Sequence, residues 1–195
     1  DFLGKVDMAD YFFSYQVAAC DRPYLGFRNP QDNRLYRYSR LPFGLRTSPY
    51  HACALMHTAC GLIRQRFAAR HPGLDFGVYD YVDDVLFRAE SRALCAELMD
   101  VGRGVFKQLA LTLAEHKTEG PALALTFLGL RISTTDMTLS VDEERRGAIK
   151  REVRAFISDF KSERRSRAPR RAIARLAGRL SFAAKAVRSG RAHVR

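Results

Sequence analysis

Chemistry in this sequence can be built from three carboxylates. Asp83 and Asp84 stand side by side in Tyr79-Asp80-Tyr81-Val82-Asp83-Asp84-Val85-Leu86-Phe87, and Asp7 lies near the end of the apolar stretch Gly4 to Met8. β-Branched and aromatic residues flank the Asp83-Asp84 pair and favour a strand on each side, with the aspartates at a tight reversal between them. Adjacent like charges repel, so such a pair serves either a solvated turn or a site for a divalent cation. Asp7 tips the choice toward the cation, because it also sits at a strand end, with 75 residues between it and Asp83. If the two strands are neighbours in one sheet, three carboxylates converge. That cluster repels itself without cations and suits a pair of Mg²⁺ ions roughly 3.5–4 Å apart, with Mn²⁺ as a substitute. Two such ions lower the pKa of an attacking hydroxyl and stabilise a leaving phosphate oxygen.

The elements that must position these groups follow from the pattern around them. Asp10 to Tyr15 is aromatic-rich and reads as a turn of helix. Tyr24–Arg28 and Leu35–Tyr38 form a hairpin around Asn29-Pro30-Gln31-Asp32-Asn33, a cluster of turn formers. The loop Leu41-Pro42-Phe43-Gly44-Leu45 leads into a helix that Ser48 caps, with Pro49 at its first position. Ala52, Leu55, Met56, Ala59 and Ile63 share one face of it. Ser91 caps a second helix with a stripe of Leu94, Leu98, Val101, Val105 and Leu109. Gly102 and Gly104 inside it each cost about 1 kcal/mol, which predicts close packing there. Leu123–Ile132 and Met137–Val141 read as a second hairpin. Asp142 caps a helix bearing Ile149, Val153, Phe156 and Phe160, and after the polar run Lys161–Arg167 another helix starts near Pro169 with Ile173, Leu176, Leu180, Ala183 and Val187. The expected class is α+β: an antiparallel sheet with packed helices over residues 1–141, then a basic helical appendage over 142–195.

Composition narrows the partners. In 195 residues, 47% hydrophobic and 11% aromatic content exclude disorder. No apolar run reaches membrane-span length and no signal peptide opens the chain. It starts at Asp1, which reads as a fragment of something longer. Cys20, Cys53, Cys60 and Cys95 form no CxxC pair, so reduced thiols and an intracellular setting, cytoplasmic or nuclear, are expected. Cys53, His57 and Cys60 fall on one helix face but lack a fourth ligand, and read as ordinary packing. The net charge of +12 is uneven: Arg145–Arg195 holds 17 Lys/Arg against 3 Asp/Glu, whereas residues 1–144 hold 16 against 18. A polyanion partner, nucleic acid first, or a solvated basic helix face both fit that asymmetry.

Taken together, the ordered motifs resemble the palm of a reverse transcriptase from a retroelement, possessing similarity to the tyrosine-recombinase and Gypsy-like groups in Ile173–Leu180. Val6-Asp7-Met8-Ala9-Asp10-Tyr11-Phe12-Phe13 is similar to that family's first catalytic motif. Leu41-Pro42-Phe43-Gly44-Leu45-Arg46-Thr47-Ser48-Pro49 is similar to the second, Tyr81-Val82-Asp83-Asp84 to the third, Leu113-Ala114-Glu115-His116-Lys117 to the fourth, and Phe127-Leu128-Gly129-Leu130 to the primer-gripping hairpin. The resemblance implies a palm with partial fingers at 20–45, the rest of the fingers absent, and a thumb or connection region after 142. It implies that Asp7 and Asp83 ligate two Mg²⁺ ions with Asp84 in support, and that Lys117 protonates departing pyrophosphate. The Met8 carbonyl adds a ligand, and Asp10 and Tyr11 offer backbone N–H groups to the triphosphate. Tyr11 departs from the small residue usual there. On the same resemblance Phe12 would exclude a ribose 2′-hydroxyl, and Phe43 and Gly44 would line the nucleotide pocket. Tyr81, Val82 and the Phe127-Leu128-Gly129 turn place the primer end. The implied partners are an RNA template, a DNA primer and dNTPs, with no membrane.

Three rivals stay open at this point: an inactive retroelement remnant that only binds nucleic acid, an RNA-directed RNA polymerase, and an unrelated metal-dependent phosphotransferase. Phe12 speaks against the second, and the loop at Leu41–Pro49 against the third.

Overall fold

Alternation of apolar and polar residues builds the first strand, β1 (Phe2–Asp7), in which Gly4 and Val6 are buried while Lys5 and Asp7 are half-buried. The computed structural model describes residues 1–161 and 169–187. The chain divides into two units, Asp1–Leu123 and Ala124–Arg195. Residues 124–141 therefore group with the helices that follow them, ahead of the boundary expected at 141/142. Most of the polar run Lys161–Arg167, and the side chain of Phe160, lie outside the described residues.

In the first unit, β1 is followed by a 3-10 turn at Tyr11–Ser14 and a second at Arg22–Leu25. The hairpin is β2 (Gly26–Arg28) with β3 (Leu35–Arg37), so Tyr24 belongs to the turn before the strand. Then come α1 (Ser48–Arg70), β4 (Phe76–Tyr81), β5 (Asp84–Ala89), α2 (Arg92–Gln108) and β6 (Glu119–Ala122). The sheet runs β4-β5-β1-β6, antiparallel at every pairing. Val6, Val78, Val85, Phe87 and Ala89 face the helices and join Ala52, Met56, Ala59, Ile63 and Phe67 of α1 and Cys95, Leu98, Val105 and Phe106 of α2 in one core. The expected helix faces hold.

Close packing at α2 also holds, at one of the two glycines. A Cβ on Gly102 would come within 2.9 Å of the Phe87 ring, while one on Gly104 would meet nothing within 4 Å. Ser91 caps α2 as expected, its hydroxyl accepting the Leu94 N–H at 3.2 Å.

Ser48 does not cap α1. Thr47 holds that position without a side-chain bond. Ser48 is fully buried instead, and its hydroxyl donates to the Pro42 carbonyl at 2.8 Å. A hydroxyl inside the fold needs a partner, and this one ties the loop carrying Phe43 and Gly44 to the helix.

β6 was not anticipated, because Gly120-Pro121 reads as loop punctuation. Proline is tolerated on an edge strand, where its missing N–H costs no ladder bond. Gly120, at φ 100°, lies so close to β1 that a Cβ would collide with the Leu3 carbonyl oxygen and come within 2.7 Å of the Gly4 Cα.

The second unit opens with three strands rather than a two-stranded hairpin: β7 (Ala124–Phe127), β8 (Leu130–Ser133) and β9 (Thr138–Val141), in that order. Leu128 and Gly129, at φ 50° and 76°, make the two-residue β7–β8 turn. Two positive φ values are what such a reversal needs to match the strand twist. α3 (Glu143–Lys161) is capped by Asp142, whose Oδ1 accepts the Arg145 N–H at 3.0 Å. α4 (Arg170–Ala183) follows Pro169. Two of its expected stripe residues face out: Ile173 is 49% exposed, and Val187 lies past the helix end at 55%. Glu152 of α3 holds both Arg175 and Arg179 of α4, so part of the basic helix surface is spent on helix pairing.

Candidate active site

Strand register brings the carboxylates together. Tyr81 pairs with Asp84 across the β4–β5 hairpin, leaving Val82 and Asp83 as its two-residue turn. β5 pairs with β1 so that Asp84 stands opposite Asp7. The Met8 N–H donates to the Asp83 carbonyl at 3.0 Å, which locks the turn to the end of β1. Val82 sits at φ 57°, a region a β-branched residue avoids at a cost of about 1–3 kcal/mol. The turn is thus held by its surroundings and not by its own preference.

A second clamp comes from the segment after α2. The Ala9 N–H donates to the Thr112 carbonyl and the Ala114 N–H to the Asp7 carbonyl, both at 2.8 Å. A 3-10 turn at Glu115–Lys117 then points Lys117 back at the aspartates, with Nζ 3.0 Å from Asp7 Oδ1 and 3.2 Å from Oδ2. Sequence reasoning placed Lys117 near the site but did not foresee this pairing. The Asp7 carboxylate keeps the Lys117 ammonium charged, raising its pKa, with Asp83 and Asp84 adding to the effect.

Crowding shows in Asp84. Burial first, then the charges of Asp7 and Asp83, push its carboxyl up from 3.8 to about 6, against the opposing pull of Lys117. A carboxyl whose folded pKa lies above its unfolded one favours the fold below the unfolded value and loses that contribution as pH rises through the folded value. Stability should therefore fall between about pH 4 and pH 6 on account of this group. Asp84→Asn is expected to raise the unfolding free energy at pH 8 by on the order of 1 kcal/mol, a figure reduced for its partial exposure, and to change little at pH 3.5. Urea melts at the two pH values check it; equal increments at both would rule out the repulsion.

The donor chemistry suits a hard divalent cation: three carboxylates, of which burial and the charge of the other two push Asp84 toward protonation. The side chains as they stand do not enclose one. Among the described residues, no group of three or more His, Cys, Asp or Glu is arranged to hold a metal ion, and on Asp7 the cation is Lys117. Cys53, His57 and Cys60 form no metal site either. Cys60 is in the core, its thiol pushed up to about 12 by burial, while His57 turns to Asp80, 3.5 Å away, which Arg64 also holds at 3.2 Å.

Phe12 follows in the 3-10 turn at the end of β1. Its ring packs on Phe43 at a centroid distance of 4.7 Å, and Phe13 meets the same ring edge-on at 5.5 Å. Phe43 is 67% exposed and Gly44, at φ 85°, has open space beside it. Tyr11 explains its own departure from a small residue. Its side chain is buried, and its hydroxyl donates to the Ala52 carbonyl of α1 at 2.8 Å while accepting from the Tyr15 hydroxyl at 2.8 Å. The pair fastens the turn carrying Phe12 to α1, and the aromatic repeat at i and i+4 is the signal that could have revealed it. The backbone N–H groups of Asp10 and Tyr11 open that turn, where a helix supplies no acceptors of its own. Tyr81 is exposed at the end of β4, whereas Phe127, Leu128 and Gly129 make the β7–β8 turn of the second unit.

The chain is similar to known proteins in fold and in a sequence family. No curated protein matches the chain by sequence. Among solved structures, the foamy viral protease-reverse transcriptase dRH in complex with double-stranded DNA shares 16% identity and a TM-score of 0.69, covering 93% of this chain and 27% of that one. The foamy viral protease-reverse transcriptase in complex with an RNA/DNA hybrid gives 17% and 0.68, covering 93% and 21%. Its complex with double-stranded DNA gives 20% and 0.65, covering 93% and 32%. At these identities the likeness is one of fold, and the chain spans between about a fifth and about a third of the length of those proteins. The sequence model described as reverse transcriptase (RNA-dependent DNA polymerase) matches residues 2–132, a span that takes in Asp7, the Asp83–Asp84 turn and Lys117. With most of its length inside that match, the chain belongs to the reverse transcriptase family.

Proposed function

We propose that this chain is the palm and thumb portion of a retroelement RNA-directed DNA polymerase that adds dNTPs to a primer 3′-hydroxyl. The observation that carries the reading is the convergence of Asp7 and Asp84 across one strand pair with Asp83 in the adjoining turn. In the reaction the 3′-hydroxyl loses its proton to water, its oxygen bonds to the α-phosphorus, the bond to the bridging oxygen of the β-phosphate breaks, and pyrophosphate leaves. Asp7 and Asp83 would hold two Mg²⁺ ions, with Asp84 and the Met8 carbonyl in support; when bound, the ions lower the pKa of the attacking hydroxyl and stabilise the leaving oxygen. This chain's own groups supply position and charge. Lys117, kept protonated, is the proton donor to pyrophosphate once it leaves Asp7. Asp10 and Tyr11 offer N–H groups to the triphosphate, and Phe43 and Gly44 flank the nucleotide. Tyr81 and Val82 of the first unit are assigned to the primer, as is, separately, the Phe127-Leu128-Gly129 turn of the second unit. Partners in this reading are an RNA template, a DNA primer and dNTPs, met in the cytoplasm or nucleus. Four free cysteines are compatible with that setting, and among the described residues no helix is long and apolar enough to cross a membrane.

The test is extension of a DNA primer on an RNA template with dNTPs and Mg²⁺ or Mn²⁺. A second reading, an inactive remnant that only binds nucleic acid, is favoured by the Lys117 ammonium on Asp7. Duplex binding with no extension under either metal would establish it.

Phe12 carries the sugar selectivity in this reading, backed by Phe43. Phe12→Val opens space next to the sugar and is expected to improve ribonucleotide use relative to dNTP by about tenfold or more, measured as a ratio of kcat/KM values. An unchanged ratio would make Phe12 only a packing residue for Phe43.

A further inference from the structure

β4 is the outer strand of its sheet: it pairs with β5 on one side and, among the described residues, with no strand on the other. It is also one arm of the hairpin that carries the Val82-Asp83 turn. That two-residue turn makes Tyr81 and Asp84 a hydrogen-bonded pair, and alternation then points the backbone groups of Val78 and Asp80 away from β5. An outer edge has no ladder to hold it, and the turn at its end needs holding, because Val82 sits at φ 57°. On the β1 side the bond from the Met8 N–H to the Asp83 carbonyl does this. On the outer side the work falls to a side chain of α1.

Arg64 meets that edge with its fork. Nε and Nη2 both donate to the Val78 carbonyl, at 3.2 and 2.6 Å, and Nη2 also donates to Asp80 Oδ1 at 3.2 Å. One guanidinium thus ties the backbone of one β4 residue to the side chain of the next residue facing the same way. Its base is anchored, since Cys60, Ile63 and Phe67 beside it on α1 are fully buried. Asp80 is the better-covered partner, with 18% of its side chain exposed against 38% for Arg64. The second oxygen of Asp80 lies 3.5 Å from His57 Nδ1, earlier on the same side of α1. Both oxygens are therefore met from the helix, at a residue that shares its strand with Tyr81 and stands just before the acid turn.

A half-exposed ion pair adds little to global stability. What distinguishes this one is its place, on the open side of the strand that delivers Asp83. We propose that Arg64 is a positioning residue: its guanidinium, forked across the Val78 carbonyl and the Asp80 carboxylate, holds the outer edge of β4 so that the turn keeps Asp83 at the end of β1. A lysine there would keep the charge and lose the fork. The proposal rests on the polymerase reading for what the turn is positioned to do, whereas the holding itself is independent of it.

The test is amide hydrogen exchange on Arg64→Met, which keeps an unbranched stem and removes the fork. Protection of the Met8 amide, whose bond reports the place of Asp83, is expected to fall about tenfold or more while the α2 amides exchange as in the parent, because the edge opens locally and the core does not. Arg64→Lys is expected to lose as much, since one ammonium cannot serve both acceptors in the plane of the fork. In primer extension Arg64→Met is expected to lower kcat about tenfold or more and to leave the dNTP KM within about twofold. Unchanged protection at Met8 overturns the proposal. So does an equal loss at Met8 and in α2, which would make Arg64 a general support of the fold, and so does recovery with lysine, which would assign the effect to charge. An unchanged kcat alongside lost protection removes the positioning role. Exchange at Met8 is read without catalysis, so a parent chain that extends no primer defeats the polymerase reading while the Met8 amide still decides on the brace.

Discussion

Asp83→Asn is expected to abolish primer extension, a loss on the order of 10³-fold or more, while the fold stays intact. The substitution keeps the shape of the side chain and removes only its charge. A neutral amide offers a hard cation one weak oxygen where the carboxylate offered two anionic ones. Neither of the other two carboxylates is free to substitute: Asp84 is already pushed up to about 6 by burial and by its charged neighbours, and Asp7 on β1 already carries Lys117. Stability should move the other way. Asparagine is at home in a two-residue turn, and removing one of the three charges relieves the repulsion on Asp84. The Met8 N–H bond survives, because it goes to the Asp83 backbone carbonyl. The measurement is single-nucleotide extension beside a thermal melt. Extension within about tenfold of the parent would remove Asp83 from the chemistry, and a collapsed melt would mean that the loss says nothing about catalysis.

Phe87→Ala carries the largest expected effect on stability, about 3–5 kcal/mol. Phe87 is fully buried on β5, three residues after Asp84, and its ring fills the space that Gly102 leaves on α2. Against a typical domain stability of about 5–15 kcal/mol, losing that ring unsettles the very strand that carries the acid pair. The glycine makes the test specific. Gly102→Ala in the parent gains about 1 kcal/mol of helix propensity but drives a methyl to 2.9 Å from the Phe87 ring, so little or no stabilisation is expected. In the Phe87→Ala background the same change has room, and the propensity gain should appear in full. Denaturant melts of the four proteins give the coupling directly. Strict additivity would mean that ring and glycine do not depend on each other.

Asp7 and the Asp83-Asp84 pair were legible because both sit where strand patterns break, and strand ends are what a sheet gathers at one edge. The α1 and α2 faces were legible for the same kind of reason, since periodic burial is written in the order of residues. What stayed hidden depends on contacts between distant segments. β6 contains Gly120 and Pro121, which locally signal a loop, and only the close approach of β1 makes a strand of them. Ser48 carries the chemistry of a cap, yet the nearby Pro42 carbonyl claims its hydroxyl. In the second unit, the Leu128-Gly129 reversal lies inside an apolar run whose residue types read as one strand, since leucine gives no sign of a positive φ, and only the motif resemblance marked a hairpin there. Ile173 looked like a core residue by spacing, but the helix turns it outward.

The Lys117–Asp7 contact has a consequence for how the site fills. Any cation that reaches Asp7 meets a carboxylate that already has one, so its arrival is an exchange and not a simple addition. The apparent affinity is then the difference between two attractions, weaker than three bare carboxylates would give. In the proposed reaction a displaced ammonium would not leave with the solvent, because the clamp at Thr112 and Ala114 tethers its segment. One side chain would then link the uptake of positive charge to the capture of negative charge, with the counterion built into the chain.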